Sequence, residues 1–247
     1  MNLRGKAILI TGAAHGLGRE LALHLDPLGC SLFLTDRDTD GLSALTCELL
    51  NTPQIFPCDL GNLHERKNFI KTIKLQTKID VLINCAGIGS HSQLNQLTAD
   101  EIERVMQVNT LAPLELIADL SPLGLIVNIG SVAGEMNLPS MSLYSASKTA
   151  VHAFTRSVQL EGARTLLVIL GPLRGTDFVQ SIEHPRTGQP NWYRRLDLPV
   201  ETAARLIVWA MQREKSQLVV PRWYQVIFML ARVFSPLARL VINRQNR

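Results

Sequence analysis

"KAILITGAAHGLG" occupies residues 6–18, and its reading decides the fold. Residues 6–11 are a short apolar run rich in branched side chains, the pattern of a buried strand. Gly12, Gly16 and Gly18 follow directly, and a helical pattern begins at Leu17. Glycines in such a turn allow a tight bend, close approach of backbone to a diphosphate, and close packing of the helix that follows. A glycine triplet alone is a weak signal, and a glycine-rich turn without a ligand is the plain alternative. The strand–turn–helix setting favours a dinucleotide.

The same alternation continues outward from this turn. Residues 31–35, 54–56, 80–84, 125–131, 166–170 and 218–220 read as further strands, and their near-continuous apolar character predicts burial on both faces, as in a parallel sheet. Helical patterns fill 17–28, 38–50, 62–76, 99–118, 144–162 and 200–213. The expected fold class is α/β: one Rossmann-like, doubly wound domain over residues 1–221, with about seven parallel strands and helices on both faces. Residues 180–199, "QSIEHPRTGQPNWYRRLDLP", break the alternation with three prolines and carry Trp192 and Tyr193. A long polar insertion at a strand's C-terminal end predicts a substrate loop, taken here as 176–199.

The second strand ends in "TDRD" (35–38). An acid about twenty residues after the glycine turn is placed to accept the hydroxyls of an adenosine ribose, and Asp36 fits. It would also repel a 2′-phosphate. Arg37, with His15, argues the other way by attracting that phosphate. Asp36 is given the greater weight, so NAD(H) is favoured and NADP(H) stays open.

Six motifs in order give the chain a family resemblance. The turn "TGAAHGLG" (11–18), "CDL" (58–60), "NCAG" (84–87), "VNT" (108–110), "IGSVAG" (129–134) and "YSASK" (144–148) resemble those of the short-chain dehydrogenases/reductases, over nearly the whole span from Lys6 to about Val220. The resemblance implies an oxidoreductase that interconverts an alcohol and a ketone or aldehyde. It implies Asn109, Ser131, Tyr144 and Lys148 as the catalytic set. It also implies cofactor contacts from Gly12, His15, Gly16, Leu17, Gly18, Asp36, Arg37, Asp59, Leu60, Asn84, Ala86, Gly87, Tyr144, Lys148, Leu173 and Thr176. Asn109 would support a water chain from Lys148. Three departures stand out. Cys85 replaces an asparagine, and Gly175 stands inserted in "LGPLRGT" (170–176), which loosens the assignments of Leu173 and Thr176. The segment from Asn109 to strand five is short, so a helix there is clipped or its following loop reduced. A homodimer or homotetramer is expected on the same ground.

The residue types suit the chemistry. Reduction of a carbonyl needs a proton at oxygen, and tyrosine, with a reference pKa of ~10, is a poor acid near neutrality. A lysine at i+4 shares its helix face and is expected to lower that pKa. Ser131, at the C-terminal end of strand five, would hold the substrate oxygen. Taken singly, each residue has a structural reading as a packed aromatic, a solvated amine, a turn or a cap. Alternatives to the enzyme above are an NADPH-dependent 3-oxoacyl reductase and, in another class, a dinucleotide-binding scaffold or redox sensor without turnover.

Composition narrows the rest. The chain has 247 residues and is 46% hydrophobic, enough for a substantial core. Cys30, Cys47, Cys58 and Cys85 show no CxxC spacing, and no metal site is expected. His91, His152 and His184 have no readable partner pattern and are expected at the surface or in loops. The net charge of +4 comes from Arg222, Arg232, Arg239, Arg244 and Arg247 near the C-terminus. The body is near neutral, which argues against a nucleic-acid partner. Residues 222–247 read as a basic amphipathic extension, with Gln225, Arg232, Arg239 and Asn243 on one arc and Trp223, Ile227, Leu230, Phe234, Leu237 and Val241 around it. Such a segment serves either as a peripheral membrane contact or as a cover for a neighbouring subunit or the substrate pocket. Its oiliness points weakly to a hydrophobic substrate. The start "MNLRGKAILITG" shows no signal-peptide pattern, so a cytoplasmic location is expected.

Overall fold

The computed structural model describes residues 1–121, 124–136, 138–176, 197–226 and 228. Trp192, Tyr193, His184 and most of the C-terminal extension lie outside the described residues.

The strands are β1 (Ala7–Thr11), β2 (Ser31–Asp36), β3 (Gln54–Pro57), β4 (Val81–Asn84), β5 (Leu125–Ser131), β6 (Thr165–Leu170), β7 (Leu173–Arg174), β8 (Leu198–Pro199) and β9 (Gln217–Val220). Seven of them form one parallel sheet in the order β3-β2-β1-β4-β5-β6-β9. The order reverses between β1 and β4, and a crevice opens beyond the strand ends at such a switch point. The short parallel pair β7–β8 was not expected; it joins the two flanks of the 177–196 segment, through Leu173–Leu198 and Arg174–Pro199.

Alternation along β1 divides the core. Ile8 and Ile10 face a layer containing Leu21 and Leu25 of α1 (Gly16–Leu25) and Ala203, Ala204 and Ile207 of α7 (Val200–Gln212). Leu9 faces the opposite layer, with Phe69 and Ile73 of α3 (Leu63–Gln76) and Leu116 of α5 (Ala112–Leu120). Three helices start where a side chain accepts an orphan amide. Asp38 caps α2 (Thr39–Thr46), Asn62 caps α3 and Thr98 caps α4 (Ala99–Met106). The longest described helix, α6, runs from Ser142 to Leu160.

Two expectations change here. The single helix over 99–118 is broken by a π-turn at Gln107–Leu111. Pro113 has no N–H for the carbonyl of Asn109 four residues earlier, so the α-helical ladder cannot close at that point. The shortening before strand five falls on the loop: α5 runs to Leu120, Ser121 closes it at φ 43°, and β5 begins at Leu125. The boundary at 221/222 also moves. Tyr224 and Phe228 are buried against Val132, Leu167, Ile169 and Val219, so the start of the extension belongs to the domain core.

Candidate active site

The glycine turn is built by close approach. A Cβ on Gly12 (φ 69°) would lie 2.8 Å from the Cα of Ala86, and one on Gly18 would lie 2.0 Å from the Gly12 carbonyl. Thr11 ties this turn to the end of β4, because its hydroxyl oxygen accepts from the amides of Cys85 and Ala86, each at 3.0 Å. β1, the turn and the 84–87 segment therefore hold one another in place at the switch point.

At the end of β2, the Asp36 carboxylate accepts from the amides of Ala14 and Asp38, both at 3.1 Å. A carboxylate has about four acceptor sites, so two remain for ribose hydroxyls. His15 is engaged elsewhere, with Nε2 2.5 Å from Asp38 Oδ2. Arg37 is exposed. On the neighbouring loop, Asp59 accepts from the Gly61 amide at 2.8 Å. Arg66, fully buried, donates to the Leu60 carbonyl, to Glu115 from Nε at 2.7 Å, and to Gln107 at 3.0 Å.

A cleft of about 1370 Å³ runs from this end past Gly87 to Ser131, Tyr144 and Lys148. That exceeds the usual ~300–1,000 Å³ of a site for one small ligand, as a dinucleotide with its substrate requires. Every predicted site residue lines it except two. Asn84 instead turns within the sheet, where its Nδ2 donates to Asn128 Oδ1 at 2.8 Å. Asn109 stands behind the wall, with its amide joined to both backbone groups of Ile88 (2.8 and 2.9 Å) and to Ser147 Oγ (3.1 Å). Its reach to Lys148 is indirect, through Gly87, where a Cβ would lie 3.4 Å from both Asn109 Oδ1 and Lys148 Nζ.

At the far end, Lys148 and Tyr144 are both buried. The lysine ammonium donates to the Ile129 carbonyl at 3.0 Å and lies 5.9 Å from the centre of the tyrosine ring. Burial pushes the Lys148 pKa down to about 8. Burial also pushes the Tyr144 phenol up to about 12, against the opposing effect of its hydrogen bond with Ser131. This reverses the acidification expected from the i, i+4 spacing. Here loss of hydration outweighs the Ser131 hydrogen bond, and the phenol is driven towards its neutral form.

Apolar side chains that spacing alone did not mark, Ile88, Leu138 and Met141, line the cleft with Leu173. His152 also departs from expectation: it is 1% exposed, beneath Ser131, rather than at the surface. The only sequence signal for it is its place on the Tyr144 helix, two turns on.

The glycine cradle, the free acceptor capacity of Asp36 and the length of the cleft fit a nicotinamide dinucleotide. The short-chain dehydrogenase family model matches residues 6–186. The chain belongs to the short-chain dehydrogenase/reductase family. A dehydrogenase/reductase SDR family protein 7-like protein of Anopheles gambiae is 29% identical over 242 residues, covering 89% of this chain and 76% of that one. A fatty acyl-CoA reductase of Acinetobacter baylyi is 27% identical over 230 residues, covering 88% of this chain and 76% of that protein. A short-chain dehydrogenase from Sphingobium yanoikuyae, solved in complex with NADPH, superposes with a TM-score of 0.78 at 26% identity, over 93% of this chain and 95% of that one. This short-chain dehydrogenase/reductase is thus an NAD(P)-dependent oxidoreductase with a small-molecule substrate. No described helix is long and apolar enough to cross a membrane.

Proposed function

We propose that this short-chain dehydrogenase/reductase interconverts an alcohol and a ketone or aldehyde, with Tyr144 as general acid and base. The observation that carries the reading is the meeting of Ser131, Tyr144 and Lys148 on one wall of the cleft that starts at the glycine turn. When bound, the reduced nicotinamide supplies the hydride that reaches the carbonyl carbon. Ser131 Oγ holds the substrate oxygen, and Tyr144 gives that oxygen its proton. A phenol whose pKa is pushed up to about 12 is protonated throughout the neutral range, the form that reduction needs. Lys148, with a pKa pulled down to about 8, carries charge at pH 7 and binds ribose hydroxyls beside the tyrosine. Gly12, Gly16 and Gly18 receive the diphosphate, and Asp59 and Leu60 border the adenine.

NAD(H) is the favoured cofactor. Asp36 presents a carboxylate where a 2′-phosphate would have to lie, and His15 is held by Asp38. The substrate is a hydrophobic carbonyl compound, consistent with the apolar Leu138 and Met141 beyond Ser131. A 3-oxoacyl reductase is the second reading, favoured by the same apolar end. The extension beyond Phe228 lies outside the described residues, and its two readings, a cover for the substrate end or a neighbouring subunit and a peripheral membrane contact, are of equal weight. Peripheral membrane binding would instead give salt-sensitive sedimentation with anionic vesicles, abolished by deleting 229–247.

The test is Tyr144→Phe with a carbonyl panel read at the nicotinamide absorbance. Loss of at least a hundredfold in kcat, with cofactor binding kept, is expected. Reduction at the wild-type rate would sink the mechanism, and cofactor binding with no turnover of any panel member would favour the scaffold reading.

A further inference from the structure

His152 has no part in the chemistry above, yet its ring is closely enclosed by two glycines. A Cβ on Gly130 would lie 2.1 Å from its Nε2, and one on Gly134 would lie 2.6 Å from its Cε1. Neither glycine has a left-handed backbone, so what these positions need is space for the imidazole. The ring's polar contacts are equally defined. The Ser131 amide donates to Nε2 at 3.3 Å, and Nδ1 lies 3.0 Å from Glu135 Oε1. Arg156 donates to the same carboxylate oxygen.

These contacts select one tautomer. The Ser131 N–H is a donor, so Nε2 must accept. The ring proton therefore sits on Nδ1 and is given to Glu135. Burial pushes the His152 pKa below its ordinary value, although Glu135 opposes this. Burial also resists the charge on Glu135, but the hydrogen bonds from His152 and Arg156 win and bring its pKa down to about 2. Glu135 thus stays ionised, compensated by Arg156, while the imidazole stays neutral.

Ser131 is held from three sides. Its amide is bound by His152, and its hydroxyl oxygen accepts from the Ala133 amide at 3.2 Å and is hydrogen-bonded with Tyr144. We propose that His152 is a positioning residue: anchored by Glu135 and Arg156, its neutral ring fixes the Ser131 backbone and so aims Oγ at the substrate oxygen. This rests on the role given to Ser131 above. It also carries a pH consequence. A doubly protonated ring would set an Nε2–H against the Ser131 N–H, two donors facing each other. The charged groups around the ring are Glu135, Arg156 and Lys148, of which only Glu135 favours that form.

The experiment has one readout free of turnover and one that depends on it. In the ¹⁵N-labelled wild-type protein, the His152 ring should carry its proton on Nδ1 at pH 7, and the Ser131 amide should be protected from exchange. His152→Leu should lose the Ser131 protection, and His152→Gln, which keeps an acceptor, should restore most of it. With phenanthrenequinone as the carbonyl probe, His152→Leu should lower kcat by about tenfold or more while leaving cofactor Kd within about twofold. In a Ser131→Ala background the same change should cost less than about twofold, because its target is gone. The wild-type rate should fall on acidification, with a limb lying below the ordinary histidine range because burial lowers the His152 pKa, and the His152→Gln rate should lack that limb. A proton on Nε2, unchanged Ser131 exchange in His152→Leu, or an equal loss in both backgrounds would overturn the proposal. Should the wild type reduce no carbonyl, the functional reading fails, while the tautomer and exchange data still judge His152.

Discussion

Lys148→Met separates what the lysine does for catalysis from what it costs the fold. The ammonium is buried and donates to the Ile129 carbonyl at 3.0 Å. Burial lowers its pKa from an ordinary 10.5 to about 8. The folded state therefore binds this proton less tightly than the unfolded chain does. Below pH 8 both states carry the proton, and the folded state bears the whole penalty, ~3 kcal/mol at 1.36 kcal/mol per pKa unit. As pH rises from about 8 towards 10.5 the penalty fades, since the folded protein releases its proton while the unfolded chain still holds one that rising pH makes steadily less favourable. Methionine keeps the length of the side chain and never carries the charge. The stability of the wild type relative to Lys148→Met should thus improve by ~2 kcal/mol between pH 7 and pH 10. Loss of the Ile129 hydrogen bond shifts both ends of that comparison together, which makes the difference the robust quantity. The assay is urea unfolding of both proteins, free of cofactor, at each pH. At pH 7 the variant should be at least as stable as the wild type while its turnover collapses, a trade of stability for activity. A stability gap that is the same at pH 7 and pH 10 would refute the argument, because the lysine would then titrate normally in the folded protein.

Gly18→Ala should abolish cofactor binding and lower the melting temperature, since its Cβ would sit 2.0 Å from the Gly12 carbonyl and the turn must open; calorimetric titration and thermal unfolding read both. Asp36→Ala should weaken NAD binding by about tenfold or more, the order of a hydrogen bond to a charged group, and weaken NADP binding less. An unchanged ratio of the two affinities would remove Asp36 from the ribose. Arg66→Met should destabilise the protein by ~2 kcal/mol in urea unfolding, below the ~3–5 kcal/mol for breaking a fully buried pair, because Glu115 keeps 35% exposure in its side chain. The same variant should weaken cofactor binding through the loosened Leu60 carbonyl.

Local pattern carried far in this chain because the fold's decisive features are local. The turn after β1 needs its glycines for contacts within a few residues and with the adjacent β4 end, and the strand periods follow from burial on both faces. Where the reading failed, the cause lay across the structure. Tyr144 and Lys148 share a helix face as their spacing requires, but spacing says nothing of how much water is left around them. Burial then pushes each group towards its neutral form, against the simple picture of a lysine that makes a phenol acidic. Asn84 stands inside a motif yet faces Asn128, since the last residue of a strand can point along the sheet as well as into the cleft. Pro113 was present in the sequence as a cause for the π-turn, but only the placement of Asn109 behind Ile88 gives that turn a purpose. His152 is the extreme case. Its partners, Ser131, Glu135, Gly130 and Gly134, come from the β5 end and the turn after it, and no period along α6 could announce them. A polar residue at a helix position that packs under a catalytic strand end is thus invisible as a motif, and its meaning comes only from the donor it faces.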